Sequence, residues 1–386
     1  NLKHLVLDRN NLSAVDVTSN LELEIIGLFQ GNPEITSIDL SQNTKLTSVT
    51  LTYLDNLKTV LFGNSPELVR VQLAFNKIEE LDISGLTGLE TLLIPNQLTT
   101  SLDVSNNEKL NYLWASYNQF TDITFGTNPE LASVLVHNNQ LTVIDVSSLT
   151  NLEYLRVYNN QLTSIDVNSN PVLKYLWYGG SQEDLGGGSE TNRLSSLDVS
   201  NNPVLEQIII AGTQDLSSLD LSNNPELTLL NVNNNNLTTL DISGNDKLKN
   251  LAFGANPISS ISIEDKPELE ELYAWETLIS ELELSNNPNL FNVDISGSNL
   301  SELDLGIQPI ARLMAFNMPN LIKVNMNNGN NSNVTEFNMS NNPELTCIQV
   351  DDVSYATSNW TDVNESSVFN TDCGFSTLDL VSIPDT

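Results

Sequence analysis

The sequence predicts a mostly β, right-handed solenoid of about 16 turns with two parallel sheets, little helix and weak curvature. Three observations point there. The 386-residue chain repeats itself every 21 residues, each period holds two short runs of alternating apolar residues, and both runs are rich in β-branched residues where a helical pattern would otherwise stand.

The period shows best from Leu141, where Leu-Thr-Val-Ile-Asp-Val-Ser-Ser-Leu-Thr-Asn is followed by Leu152-Glu-Tyr-Leu-Arg-Val-Tyr-Asn-Asn-Gln and then by Leu162-Thr-Ser-Ile-Asp-Val-Asn-Ser-Asn. Each turn therefore divides into halves of 10 and 11 residues of the form L-x-x-L-x-L-x-x-N. One half carries an outward marker at Asp82, Asp103, Thr124, Asp145 and Asp166; the other carries Gln72, Leu93, Trp114, Leu135, Arg156 and Trp177 at the equivalent place.

These motifs resemble the leucine-rich repeat family, specifically its bacterial class of nested 21-residue repeats, over roughly residues 1–350. The resemblance implies a solenoid. In the common leucine-rich repeat the second half is helical or irregular, whereas Leu-Asp-Val-Ser here alternates as a strand does, so little helix is expected. Curvature in the family arises because helices, about 10 Å wide, need more room than strands about 4.8 Å apart; with strands on both sides the coil should be nearly straight. Each inward Leu, Ile or Val should contribute about 1.5–3 kcal/mol when fully buried, and stability should sum over turns and their nearest-neighbour interfaces.

The corners carry their own signals. Ten of the 14 prolines precede the first aliphatic residue of a half-repeat, as in Asn224-Pro225-Glu226-Leu227, where a fixed φ suits a corner that needs no ladder donor. The 54 asparagines crowd the same corners, where they tolerate left-handed backbone and their amides can pair with backbone groups of the next turn. Most of the Asn excess is thus structural.

Charge limits function. With 15 Lys and Arg against 49 Asp and Glu, the net charge of −34 excludes a nucleic-acid partner, which demands clustered cations, and repels an anionic membrane surface. No apolar run approaches the length of a membrane span, and the opening Asn1-Leu2-Lys3-His4 has no signal-peptide pattern, so any targeting sequence is expected to have been removed or left out.

Three places break the period. The step from Asp166 to Asp198 is longer by an insertion at 179–193, expected as a surface loop. Near Met318-Pro319-Asn320-Leu321 the two half-repeat flavours exchange. After residue 350 the repeat stops, and 351–386 is expected as a C-terminal cap or linker, since an open last turn would expose core and strand edge. The first residue falls inside a repeat, so an N-terminal cap is expected to be absent or trimmed. Cys347 and Cys373 flank the C-terminal cap; either they form a disulfide that pins it, the reading taken here, or they are two inert thiols. This end also resembles the terminal module of secreted Bacteroidetes-type leucine-rich repeat proteins, which implies secretion or cell-surface attachment.

Candidate chemistry is sparse. The Asp ladder, Asp16 through Asp304 with Ser usually two residues on, reads as a solvated structural face, with weak calcium binding as the alternative and a glycosidase pair disfavoured because a repeating ladder gives every carboxylate the same surroundings. His4 and His137 lie far apart, no Cys–His pair occurs and no glycine-rich loop cradles phosphate, so no catalysis, cofactor or metal is expected. The other sheet differs, because its outward positions vary: Phe29, Trp114, His137, Arg156, Tyr158 and Trp177, then Tyr273, Trp275 and Phe316. Exposed Trp, Tyr and Arg mark binding surfaces; the competing reading is that these rings pack on one another across turns. Trp114, His137, Arg156, Tyr158 and Trp177, rimmed by the loop 179–193, with Tyr273 and Trp275 as a second cluster, are the candidate ligand contacts. The expected protein is a monomeric, extracellular, non-catalytic binder of a protein in recognition or adhesion, with polysaccharide binding or a structural spacer as alternatives.

Overall fold

A computed structural model of the chain describes residues 1–180 and 191–375. The central residues of the expected insertion, 181–190, and the last residues of the expected cap, 376–386, lie outside the described residues. The repeats wind into a parallel β-solenoid of about 17 turns with 3% helix, one turn more than the sequence suggested. By contacts the chain divides into two units: Asn1–Leu227 with Asn234–Asn236, and Thr228–Asn233 with Leu237–Thr386.

In the first unit a main sheet takes one strand from each turn, parallel and in sequence order. Its middle is made of Thr91–Leu93, Tyr112–Trp114, Ser133–Leu135, Tyr154–Arg156 and Tyr175–Gly179. Register stacks like on like. Leu92, Leu113, Val134, Leu155 and Leu176 face one another along the core, every one fully buried. Alternation then sends the residues on either side outward.

The opposite side corrects the sequence reading. Instead of one continuous second sheet, the first unit holds two strand pairs there, Ser37–Leu40 with Thr59–Phe62 and Ser101–Asp103 with Asp122–Thr124. Along this side Asp145 Oδ1 accepts from the backbone N–H of Ser147 at 2.9 Å and from its hydroxyl at 2.6 Å, and Asp82 does the same with Ser84. Asp39 and Asp103, which lie in the paired strands, also accept from the N–H two residues on, so these local turns accompany ladder pairing as well as its absence.

Corners close on asparagine. The amide of Asn160 donates to the carbonyls of Val136, one turn earlier, at 3.1 Å and of Val157 at 2.8 Å, while its Oδ1 accepts from Leu141 N–H at 3.0 Å. Asn118, Asn139 and Asn256 repeat these donations. At the other corner Asn170 donates to Val146 and Leu149. Buried carbonyls at the bends are thereby paired without water, as burial demands.

In the second unit the main sheet runs from Leu229–Asn231 through Glu271–Tyr273 to Glu336–Asn338. Opposite it lies a four-stranded parallel sheet of Glu302–Asp304, Lys323–Met326, Cys347–Val350 and Val368–Asn370, so pairing continues one strand into the expected cap. The irregularity near residue 320 is a stretched turn. Paired Arg312 and Glu336 stand 24 residues apart, and a 3₁₀ turn at Asn331–Asn333 takes up the surplus, held by Asn331, which donates to Met326 O and accepts from Asp351 N–H. The flavours exchange without any strand changing sheets: the Asx turn of Asn338 with Ser340 follows a main-sheet strand, as that of Asp294 with Ser296 does earlier.

The end is closed by the helix Val353–Asn359, capped by Asp352, and by Trp360, which stacks on Phe337 of the last main-sheet strand at 4.2 Å and meets Phe369 edge-on. Cys347 and Cys373 are disulfide-bonded with Cα atoms 5.8 Å apart, joining cap to last turn.

Candidate functional site on the outward face of the main sheet

Four consecutive turns of the first unit build the candidate face. Strand register places Trp114, Leu135, Arg156 and Trp177 in one outward column and Tyr112, Ser133, Tyr154 and Tyr175 in the column beside it. Ser116, His137 and Tyr158 follow two residues further along. All five residues read from the sequence therefore point away from the core and meet on neighbouring turns.

Pointing outward is not the same as being accessible. Trp114 is 36% exposed and its indole N–H donates to Ser116 Oγ at 2.6 Å. Trp177 is only 5% exposed and His137 8%, which corrects the expectation that every ring in the group meets solvent. Neighbouring turns cause it. The guanidinium of Arg156 lies 3.7 Å above the Trp177 ring centroid, and the imidazole of His137 is sandwiched between Tyr158, stacked at 4.4 Å, and the edge of Tyr117 at 5.7 Å. Tyr178 fills the inward position that Val157 holds on the preceding turn and is fully buried, its hydroxyl donating to Arg193 O at 3.1 Å; the ladder slips between Trp177 and Gly179.

Electrostatics follow from this packing. Burial, aided by the nearby Arg156 charge, pulls the His137 pKa down to about 4, so the ring is neutral at pH 7. Tyr154 and Tyr175 stack at 4.5 Å with planes 5° apart. The Tyr175 hydroxyl donates to Glu206 at 2.8 Å, and that bond, with burial, pushes its pKa up to about 12. Three buried polar atoms here have no hydrogen-bond partner among the described residues: His137 Nδ1, Arg156 Nε and Trp177 Nε1. They are not peculiar to this face: Asn138 Nδ2, Gln207 Oε1, Trp275 Nε1 and Trp360 Nε1 are in the same position among the described residues.

The fold built from these turns can be placed among known proteins. Neither the known family models nor the curated proteins match the sequence. Solved structures do. The functional domain of InlJ from Listeria monocytogenes is 25% identical, covering 75% of this chain and 70% of that one with a TM-score of 0.53. A leucine-rich repeat protein of Leptospira interrogans covers 95% of this chain and 90% of its own at 17% identity and a TM-score of 0.64. An internalin of Listeria monocytogenes, inlF, covers 77% and 81% at 22% identity and a TM-score of 0.53. The fold is that of leucine-rich repeat proteins. Such solenoids are typically non-catalytic binding scaffolds.

The second unit of this solenoid carries the other cluster. The Tyr273 hydroxyl donates to Glu271 at 2.8 Å and accepts from Asn292 at 2.7 Å; burial, then the Glu271 bond, raise its pKa. Trp275 lies against Gly254 of the preceding turn so closely that a Cβ there would sit 2.5 Å from its indole nitrogen. Both rings are half-buried and committed to neighbours, so this cluster is smaller and tighter than the first.

Three exposed rings escaped the sequence reading: Tyr53, Phe75 and Tyr117. They occupy the corner position that Asn96, Asn138 and Asn159 fill on other turns, a place read there as purely structural. An aromatic residue in an asparagine column was the available signal. Among the described residues, no group of His, Cys, Asp or Glu could hold a metal ion, and no helix is long and apolar enough to cross a membrane.

Proposed function

We propose that this solenoid recognises a polypeptide through the outward main-sheet face of its first unit. Trp114, Arg156 and Tyr158 are the direct contacts, and His137 and Trp177 hold them in place. The observation that carries this reading is the outward-facing group of Trp114, 36% exposed, with half-buried Arg156 and Tyr158 on the same face, because Trp, Tyr and Arg are the residues that dominate protein recognition. Polysaccharide binding fits less well, because sugar faces need open ring faces and the stacked Tyr154, Tyr175, His137 and Tyr158 use theirs on one another. Work outside the cell, at a surface or secreted, is the setting proposed for this recognition. Its support is the disulfide at the cap and a strongly acidic surface.

Replacing Trp114, Arg156 and Tyr158 together by Ala should weaken binding of peptides selected from a displayed random library by about tenfold or more. A glycan array run beside that library supplies the contrary outcome. Strong glycan retention with no peptide selected, or a triple variant that binds selected peptides as the parent does, would overturn the reading.

A further inference from the structure

Each turn of the first unit leaves the main sheet through one residue in the left-handed backbone region, among them Gln30, Tyr53, Phe75, Asn96, Tyr117 and Asn138. In that region the Cβ of an L-residue crowds the adjacent carbonyl; Asn tolerates it and bulky side chains avoid it. Elsewhere the column mixes Asn96, Asn138 and Asn159 with Arg9, Gln30 and Gln214, and in the second unit Asn317 and Asn341 with Ala255 and Glu276; none of these carries an aromatic ring. Yet Tyr53, Phe75 and Tyr117 hold φ of 57°, 59° and 57°.

Packing does not account for them. The rings are 45%, 39% and 53% exposed, while the core position just past Tyr53 is already filled by fully buried Leu54. Tyr53 and Phe75 stack on each other at 4.5 Å, and Tyr117 reaches His137, so the strip borders the proposed peptide site. Backbone strain that persists without a packing return concentrates at functional positions.

Charge says what the strip receives. Acidic residues outnumber basic ones 49 to 15; in this unit Lys45, Lys58 and Lys174 are paired with Glu22, Glu79 and Glu153, while exposed Lys77, two residues past Phe75, donates to Asn56. Exposed Asp55 follows Tyr53 by two residues. An acidic field draws cations, and ring faces hold guanidinium and ammonium groups, as Trp177 already holds Arg156. We infer that the strip Tyr53, Phe75 and Tyr117 receives a Lys- or Arg-bearing segment of the polypeptide partner, an inference that rests on the peptide-binding reading above.

The test uses the residue the fold itself places in this column. In the triple variant Tyr53→Asn, Phe75→Asn, Tyr117→Asn the thermal midpoint should be unchanged or rise by about 1–4 °C as strain is relieved. Binding to an array of Arg- and Lys-bearing 12-residue peptides should fall by about tenfold or more, and parent binding should weaken steeply with salt. A lowered midpoint would make the rings packing elements and overturn the inference; so would a parent chain that holds basic peptides no better than neutral peptides of matched hydrophobicity. Should Trp114, Arg156 and Tyr158 to Ala abolish binding while the Asn variant binds normally, the proposed function stands and the strip is excluded. If neither variant matters, both fall.

Discussion

The two faces of the first unit are made from the same half-repeat and stacked at the same spacing, yet they treat their outward residues in opposite ways. On the Asp face each carboxylate turns to its own chain: Asp39 to Ser41, Asp82 to Ser84, Asp145 to Ser147. These carboxylate bonds all close within their own turn. On the main-sheet face the outward residues turn to the next turn: Arg156 on Trp177, His137 on Tyr158, Tyr154 on Tyr175. Local pairing makes a face that repeats and is uniformly solvated. Pairing between turns makes a face whose character depends on which residues happen to be neighbours, and only such a face can be specific.

Truncation should separate the two most sharply. Trp177→Ala removes a buried ring that supports Arg156 and should cost about 3–5 kcal/mol in chemical denaturation, whereas Asp145→Ala, which strips an exposed local turn, should cost far less. Equal losses would abolish the distinction between the faces.

Acid should separate them next, by pH window. His137 has its folded pKa depressed to about 4 from 6.5, so it favours the folded state above the unfolded value; that contribution, about 3 kcal/mol from the size of the shift, drains away as pH falls from about 6.5 to about 4. The hydroxyl and amide donors two residues on hold Asp16, Asp39, Asp82, Asp145 and Asp198 below the ordinary carboxylate range. Their contribution is present above the unfolded carboxylate pKa and is lost only as pH falls through their lower folded values, partly offset there by relief of the −34 charge. In a stability profile against pH, His137→Asn should erase the upper limb and leave the lower one. A single acid limb in both proteins would contradict the assignment.

The smallest expected effect is that of calcium. Because each ladder carboxylate already accepts hydrogen bonds from its own turn, adding calcium or EDTA at matched ionic strength should move the thermal midpoint by less than about 1 °C. A shift specific to calcium would show that the Asp face also pairs between turns.

Much of this was legible in the sequence, and the limit is informative. The period, the inward Leu column, the asparagine corners and the Cys347–Cys373 bridge all follow from residue type at a fixed phase, and Trp114, Arg156 and Tyr158 were found by parity alone. Parity gives direction but not access. Whether Trp177 is open depends on Arg156, one turn away, and on a backbone slip at Gly179 that no alternation reveals. The broken second sheet was hidden for a related reason: the half-repeat alternates like a strand whether or not it pairs with the next turn, and paired Asp103 and unpaired Asp145 make the same local bond. Tyr53, Phe75 and Tyr117 were overlooked because their column had been given over to asparagine.

The asparagine corners also impose an order of assembly. Leu141 N–H is satisfied by Asn160 and Phe120 N–H by Asn139, in each case 19 residues downstream. A chain emerging from the ribosome therefore cannot finish one turn until most of the next has appeared, and the folded front must trail synthesis by about a turn along the array. The debt is passed forward until Asn364, which exchanges hydrogen bonds with the backbone of Asn342, so the cap is where the growing solenoid finally settles.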